Sequence, residues 1–350
     1  MDVVKNELYK SSVTGCTSFE SYGRSFVISE RRIFMTEKTL TEYYKTVWLP
    51  CKKIELKPTS YDRLYRTVTK NVIPYLGHMP MCKIELQQLL DFFEFVYGTY
   101  SLSTSKKIYE AVNACFRFAQ YMGDVPNNPM LPIKKPKKNN FSPSKEKSIL
   151  TPEEIKRLKF TISVRTYKSS LLEPYIGWGY YFLLNTGLRP CELLGLKWSD
   201  IKGDYIYIQR SVVSYHDEKD DNYVVLLQET LKTSSSRRKI YLNNNAKYAL
   251  KQIANKTNPK GKFIMQHEGK IVKPDMLRRN WYALLKEAEV TPRELYCLRH
   301  TFASLLFREN CDIKSVSHIM GHSSVRTTYD TYIHLFEKNY METNVLDRII

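Results

Sequence analysis

Apolar side chains recur at helical spacing along most of the chain, and they switch to two-residue alternation only near its middle. Leu40, Tyr43, Tyr44, Val47 and Trp48 fall on one face of a helix that the pattern starts near Thr39. A second helix is predicted after Lys57-Pro58-Thr59-Ser60, with Thr59 or Ser60 as its cap. It runs through Tyr61, Leu64, Tyr65 and Val68, turns Arg63, Arg66 and Lys70 outward, and is expected to stop at Pro74-Tyr75-Leu76-Gly77. Further helices fit 85–97 and 104–122, so residues 37–131 are expected to form one all-helical unit.

Residues 132–147 break the pattern. Prolines and lysines (Lys134, Lys135, Lys137, Lys138) with few apolar residues predict a basic linker. A second unit, 148–350, opens at Thr151-Pro152-Glu153-Glu154, where Thr151 is placed to cap, Pro152 to stand at N1 and Glu154 to close a capping box. A mostly apolar helix follows at 175–186. Strands are predicted at 205–208, 223–227 and 239–242, the last two joined by a polar turn, and the chain is helical again from Asp275. Residues 1–36 read as an arm or tail, with a short strand pair within 22–34. The fold class expected is mainly α with a small antiparallel sheet: a helical domain followed by an α+β domain.

Charge narrows the function. The 350 residues include 54 Lys and Arg against 36 Asp and Glu, a net charge of +18. That excess favours a polyanionic partner, although solubility alone can also produce it. Arg63, Arg66 and the linker lysines are candidate DNA contacts, as are Arg238 and His300. The seven cysteines are scattered, without a C-x-x-C pair, which argues against a disulfide framework or a zinc site. The longest apolar stretch, 175–184, is too short to span a bilayer, and no export signal is evident, so a cytoplasmic location without membrane contact is expected.

Four segments carry candidate chemistry. In Thr186-Gly187-Leu188-Arg189-Pro190-Cys191-Glu192, a glycine ends one helix and an arginine opens the next. An arginine there can fork onto two phosphate oxygens while Glu192 holds the fork, though Arg–Glu at this spacing is often only a helix ion pair. Lys232 follows Leu231 on the predicted turn, a place where a lysine is ordinarily a solvated charge. Tyr296-Cys297-Leu298-Arg299-His300-Thr301 puts two basic residues into a helix's first turn, against its dipole, which an anion would justify. Finally, Gly321-His322-Ser323-Ser324 leads to Thr328-Tyr329-Asp330-Thr331-Tyr332. No Asp/Glu cluster suggests a metal and no P-loop is present; no cofactor is expected.

Taken in order, these segments resemble the catalytic domain of the tyrosine recombinase (phage integrase) family, with T-G-x-R-x-x-E-L, a T-K-T-like lysine, x-L-R-H-T, G-H-S-S and T-x-x-x-Y; the resemblance covers 151–340, and 57–86 is similar to the family's core-binding domain. The resemblance implies that Arg189 and Arg299 clamp the scissile phosphate and Lys232 protonates the leaving 5′ oxygen. It implies that His322 bonds a phosphate oxygen, Tyr332 is the nucleophile and Glu192 braces the cleft. One position departs from the pattern: Tyr296 stands where the family usually has histidine, and a phenol is the poorer base.

The function implied is a site-specific recombinase or integrase working through a covalent 3′-phosphotyrosine for integration and excision of a mobile element. Double-stranded DNA at specific recombination sites is the implied partner. A monomer or weak oligomer would become a homotetramer at synapsis, with accessory DNA-bending or excision proteins. A type IB topoisomerase and a non-catalytic DNA-binding protein of the same fold are the alternatives.

Overall fold

The computed structural model describes residues 36–137, 149–164, 174–218, 221–229, 234–257 and 261–336. The expected N-terminal arm up to residue 35, Lys138 with the rest of the linker, Lys232, and the tail from 337 lie outside the described residues.

The first core belongs to α1 (Leu40–Tyr43), α2 (Leu49–Glu55), α3 (Pro58–Asn71), α4 (Ile73–Leu76), α5 (Leu86–Thr99) and α6 (Leu102–Met122). Thr39 and Glu42 close a capping box at the start of α1, the two reciprocal bonds being 2.8 and 3.2 Å. Between α1 and α2 the helix widens into a π-turn, Tyr44–Trp48. Pro50 follows at once and has no N–H to return to the Thr46 carbonyl, which is a sufficient local cause for the widening. Most of the apolar stripe read from the sequence is buried here: Leu40, Tyr43, Tyr44 and Trp48 are 1% exposed or less, while Val47 is half-buried.

Two local expectations are corrected in α3 and α4. Neither Thr59 nor Ser60 caps α3; Pro58 occupies its first turn and Lys57 is the N-cap, without a side-chain bond. Proline presets φ and lacks the N–H that a cap would otherwise serve, so the helix begins earlier than the hydroxyls suggest. Pro74 likewise does not stop a helix: it sits in the first turn of the short α4, after α3 has ended at Asn71. The expected linker also starts too early. Ile133 and Pro136 are buried, Tyr109 donates its hydroxyl hydrogen to the Ile133 carbonyl (2.8 Å), and Lys135 pairs with Glu110.

The second core gathers around α8 (Pro174–Thr186), whose side chains are apolar on every side and buried from Tyr175 to Leu184 except at glycine positions, where no side chain projects. Packed on it are α7 (Pro152–Val164), α9 (Pro190–Gly195), α10 (Asn244–Lys256), α11 (Pro274–Glu287) and α12 (Cys297–Arg308). Thr151 caps α7 as expected, with Glu154 as its capping-box partner. Glu154 also receives Arg293 at 2.7 and 3.0 Å, and Trp281 donates its indole N–H to the Arg293 carbonyl. Leu150 N–H bonds Thr301 of α12 at 2.9 Å, so the start of this unit is tied directly to the helix that carries Arg299.

The strands pair differently from the expectation. β1 (Ile201–Lys202), β2 (Tyr205–Ile208) and β5 (Arg238–Tyr241) form one antiparallel sheet in the order β1-β2-β5. β4 (Asn222–Gln228) pairs not with β5 but with β3 (Ser211–Asp217), from Ser211 opposite Gln228 to Asp217 opposite Asn222. β4 and β5 therefore belong to different sheets and do not form the expected hairpin, and Lys232 itself falls outside the described residues. β3 was missed because its residues Ser211, Ser214, His216 and Asp217 dilute the alternation; five of its seven positions are only half buried. A last short pair, β6 (Gln266–His267) and β7 (Lys270–Ile271), precedes α11. The chain closes with α13 (Ile313–Met320) and α14 (Val325–Phe336), which form a small third cluster with α12. Among the described residues no helix is long and apolar enough to cross a membrane.

Candidate active site

Three arginines converge on one helix end. The last carbonyls of α13 and its cap each accept from a different guanidinium: Ile319 from Arg238 (2.6 Å), Met320 from Arg299, and Gly321 from Arg189 (3.0 Å). These carbonyls lack partners within the helix and carry its negative dipole end, so cations are favoured there. Gly321 makes the approach possible. It ends α13 in the left-handed region at φ 63°, and a Cβ there would lie 2.8 Å from an Arg238 nitrogen.

Glu192 binds the same group from the other side. It is 1% exposed and accepts from the Arg189 backbone N–H (2.9 Å), the Arg189 side chain (2.8 Å) and two Arg238 nitrogens (3.1 and 2.9 Å). Burial works against its charge, but Arg238 first and then Arg189 hold its carboxyl below the usual carboxylate range. Arg189 is the N-cap of α9, with Pro190 beside it, and its side chain is a quarter exposed. Among the described residues its Nε has no hydrogen-bond partner, which leaves a donor free beside a cationic surface.

Arg299 is more deeply placed, 3% exposed, with one nitrogen on the Gly187 carbonyl at 2.6 Å. Gly187 stands at φ 63° at the end of α8, where a Cβ would lie 2.3 Å from the Phe302 ring. Burial, followed by repulsion from Arg189, pushes the Arg299 guanidinium down to about 10. It remains charged at neutral pH; the depression reflects its burial first and the neighbouring Arg189 second.

Tyr332, on α14, is 2% exposed, packed on Phe307 with ring centroids 5.4 Å apart. Burial pushes its phenol up to about 12, against the pull of Arg299. Its hydroxyl meets Nδ1 of His300 at 2.9 Å. Tyr329, one turn earlier, is 42% exposed, so the two tyrosines differ sharply in burial. His322 follows Gly321 directly and places Nδ1 2.8 Å from the Thr328 hydroxyl. Tyr296 is the N-cap of α12 and 43% exposed; desolvation, then Cys191, raises its phenol. A raised phenol is present as phenolate, the form able to accept a proton, to a still smaller extent at neutral pH.

One candidate DNA contact is corrected. Arg238 has a fully buried side chain and cannot reach a duplex. The strand alternation pointed to this: Arg238 shares its face of β5 with Ile240, which is buried. Arg238 is thus a third arginine of the cluster, held inside it by strand alternation. His300 faces Tyr332. Arg63, Arg66, Lys134, Lys135 and Lys137 are exposed, Arg66 being paired to the buried Asp62 at 2.6 Å.

Comparison with known proteins places the chain. The model described as phage integrase family matches residues 149–339, and that described as phage integrase, N-terminal SAM-like domain, matches 39–95. A tyrosine recombinase XerC-like protein of Caldanaerobacter subterraneus subsp. tengcongensis is 25% identical over 89% of this chain and 82% of its own. The ICEBs1 integrase of Bacillus subtilis is 25% identical over 85% of this chain and 79% of its own. Among solved structures, the Tn1549 transposon integrase in complex with a circular intermediate DNA superposes with a TM-score of 0.63 at 20% identity, over 84% of this chain and 95% of that one. A lambda integrase tetramer bound to a Holliday junction gives 0.57 at 16% identity, over 83% and 76%.

The Glu192 network yields a pH-dependent prediction. Its folded carboxyl lies below the ordinary 4.5, so its contribution is full above that value and is lost as pH falls through the folded value. Glu192→Gln should therefore destabilise the protein by about 3–5 kcal/mol at pH 7, as breaking a buried pair does. The difference from the parent should shrink below pH 4.5, read by denaturant unfolding at a series of pH values.

Proposed function

The chain belongs to the phage integrase family, and from that premise we propose that it is a tyrosine-type site-specific recombinase that cuts and rejoins DNA for a mobile element. The observation that carries the reading is the convergence of Arg189 and Arg299 on one helix end, with Arg189 held by Glu192 and with Tyr332 bonded to His300, the residue after Arg299. Two fixed guanidiniums are suited to the charge that builds on the non-bridging oxygens as phosphorus is attacked. Tyr332 Oη forms the new bond to phosphorus, the bond to the 5′ oxygen breaks, and that oxygen takes a proton from Lys232. The product is a 3′-phosphotyrosine, which conserves the energy of the phosphodiester; attack by a 5′ hydroxyl reverses the step and rejoins a strand.

His322, beside Gly321 and steadied by Thr328, is a further donor to the phosphate. Glu192 fixes the direction of Arg189. Arg63, Arg66, Lys134, Lys135 and Lys137 are exposed cations for the duplex backbone, and Lys138 extends the same run. Integrases of this fold have been solved on DNA, and that of lambda as a tetramer on a Holliday junction, which supports double-stranded DNA as the partner and a tetramer at synapsis. Relatives named as recombinases and integrases favour this reading over a topoisomerase.

Two experiments test the roles. The probe is a nicked suicide duplex whose sequence is selected from a random library by binding to the Tyr332→Phe protein. Tyr332→Phe should form no covalent complex on it, while Tyr329→Phe should still form one; the reverse pattern on a denaturing gel would move the nucleophile by one helical turn. Lys232→Ala should cleave slowly on ordinary DNA and recover on a duplex with a 5′-bridging phosphorothiolate, whose sulfur leaves without a proton. Absence of recovery would remove the acid role from Lys232.

A further inference from the structure

We propose that His300 is the proton acceptor for Tyr332, and hence a catalytic residue in its own right. The proposal rests on Tyr332 being the nucleophile. Nδ1 of His300 lies 2.9 Å from the Tyr332 hydroxyl, and the two rings are tilted at 59° with centroids 5.9 Å apart. Tyr332 is otherwise enclosed by Phe307 and its neighbours, so bulk water has little access to the phenol. Among the described residues, His300 is the hydrogen-bond partner of that hydroxyl.

The placement follows from helix geometry. Arg299 and His300 are consecutive on α12, about 100° apart around its axis. Arg299 points its guanidinium at the Gly187 and Met320 carbonyls, while His300 turns to α14 and Tyr332. One turn of α12 thus presents a phosphate donor and a base next to each other. Tyr296, one turn earlier, offers no such base: its phenol is raised, and its backbone carbonyl accepts the His300 N–H at 3.1 Å. Among the described residues, Arg299 is the charged group that favours ionisation of Tyr332.

The step balances without a co-reactant. The neutral imidazole carries its hydrogen on Nε2 and accepts at Nδ1 from the phenol O–H. As the Oη–phosphorus bond forms, the O–H bond breaks and its proton passes to Nδ1, giving an imidazolium. The phosphorus–O5′ bond breaks, and the 5′ oxygen is protonated by Lys232. On rejoining, Tyr332 Oη leaves phosphorus and recovers the proton from His300.

The test is single-turnover covalent complex formation on the suicide duplex, with DNA binding measured alongside. His300→Asn keeps a hydrogen-bond acceptor near the Nδ1 position but takes up no proton. It should bind DNA normally and cleave about a hundredfold more slowly, the lower range for loss of a general base. His300→Ala should be slowed at least as much and be restored tenfold or more by added imidazole, the rescued rate rising with the basicity of the substituted imidazole used. His300→Asn cleaving within threefold of the parent, or faster, would overturn the proposal and leave His300 as a brace or a restraint on the phenol. A covalent complex in Tyr332→Phe would instead remove the nucleophile assignment, which separates the two failures.

Discussion

One carboxylate and one helix end hold three guanidiniums together, and the site depends on that imbalance. Glu192 contributes a full negative charge and the carbonyls of residues 319–321 contribute partial ones, against the positive charges of Arg189, Arg238 and Arg299. The remainder is positive and poorly solvated, as the lowered Arg299 guanidinium records. A buried surplus of that kind is unfavourable until an anion arrives, and a phosphate in its transition state supplies more negative charge than in its ground state. The bracket is therefore organised toward the reaction and not merely toward binding.

Tyr332, the proposed nucleophile, sits on the other side of the same balance. A phenol raised to about 12 is separated from its ionised form at pH 7 by about five units, on the order of 7 kcal/mol. Burial, with Phe307 among the packed neighbours, moves the Tyr332 phenol further from ionisation than an exposed tyrosine. In the proposed mechanism, phosphate bound beside Arg299 changes the surroundings of the phenol, and His300 within hydrogen-bond distance lets the proton leave as the new bond forms rather than before it. Geometry links these demands: α12 carries Arg299, α13 offers the carbonyls that aim the arginines, and α14 follows His322 to bring Tyr332 alongside.

Much of this was legible in the chain. The glycine–arginine–proline turn with Glu192 three residues on, the basic start of α12 and the glycine–histidine end of α13 are local patterns, and local patterns survive in sequence. So did the helical stripe of α1 and α2 and the capping box at Thr151. What escaped was non-local. Arg238 looked like one more surface cation in a basic run, although alternation with Ile240 turned it inward. The contact of His300 with Tyr332 spans 32 residues and two helices, and nothing at either position announces it. Strand partners failed for a different reason: β4 pairs with β3, its nearer neighbour in sequence, but the half-buried face of β3 hides the alternation.

The bracket itself can be read directly from a structure of the Tyr332→Phe protein on an uncleaved selected duplex. Arg189 and Arg299 should both place nitrogens within hydrogen-bond distance, about 2.7–3.2 Å, of oxygens on the same phosphate. Glu192 should still bind Arg189 and Arg238, and the carbonyls of residues 319–321 should keep their three arginines. Guanidiniums resting on different phosphates, or a Glu192 released from Arg238 when DNA is bound, would contradict the account.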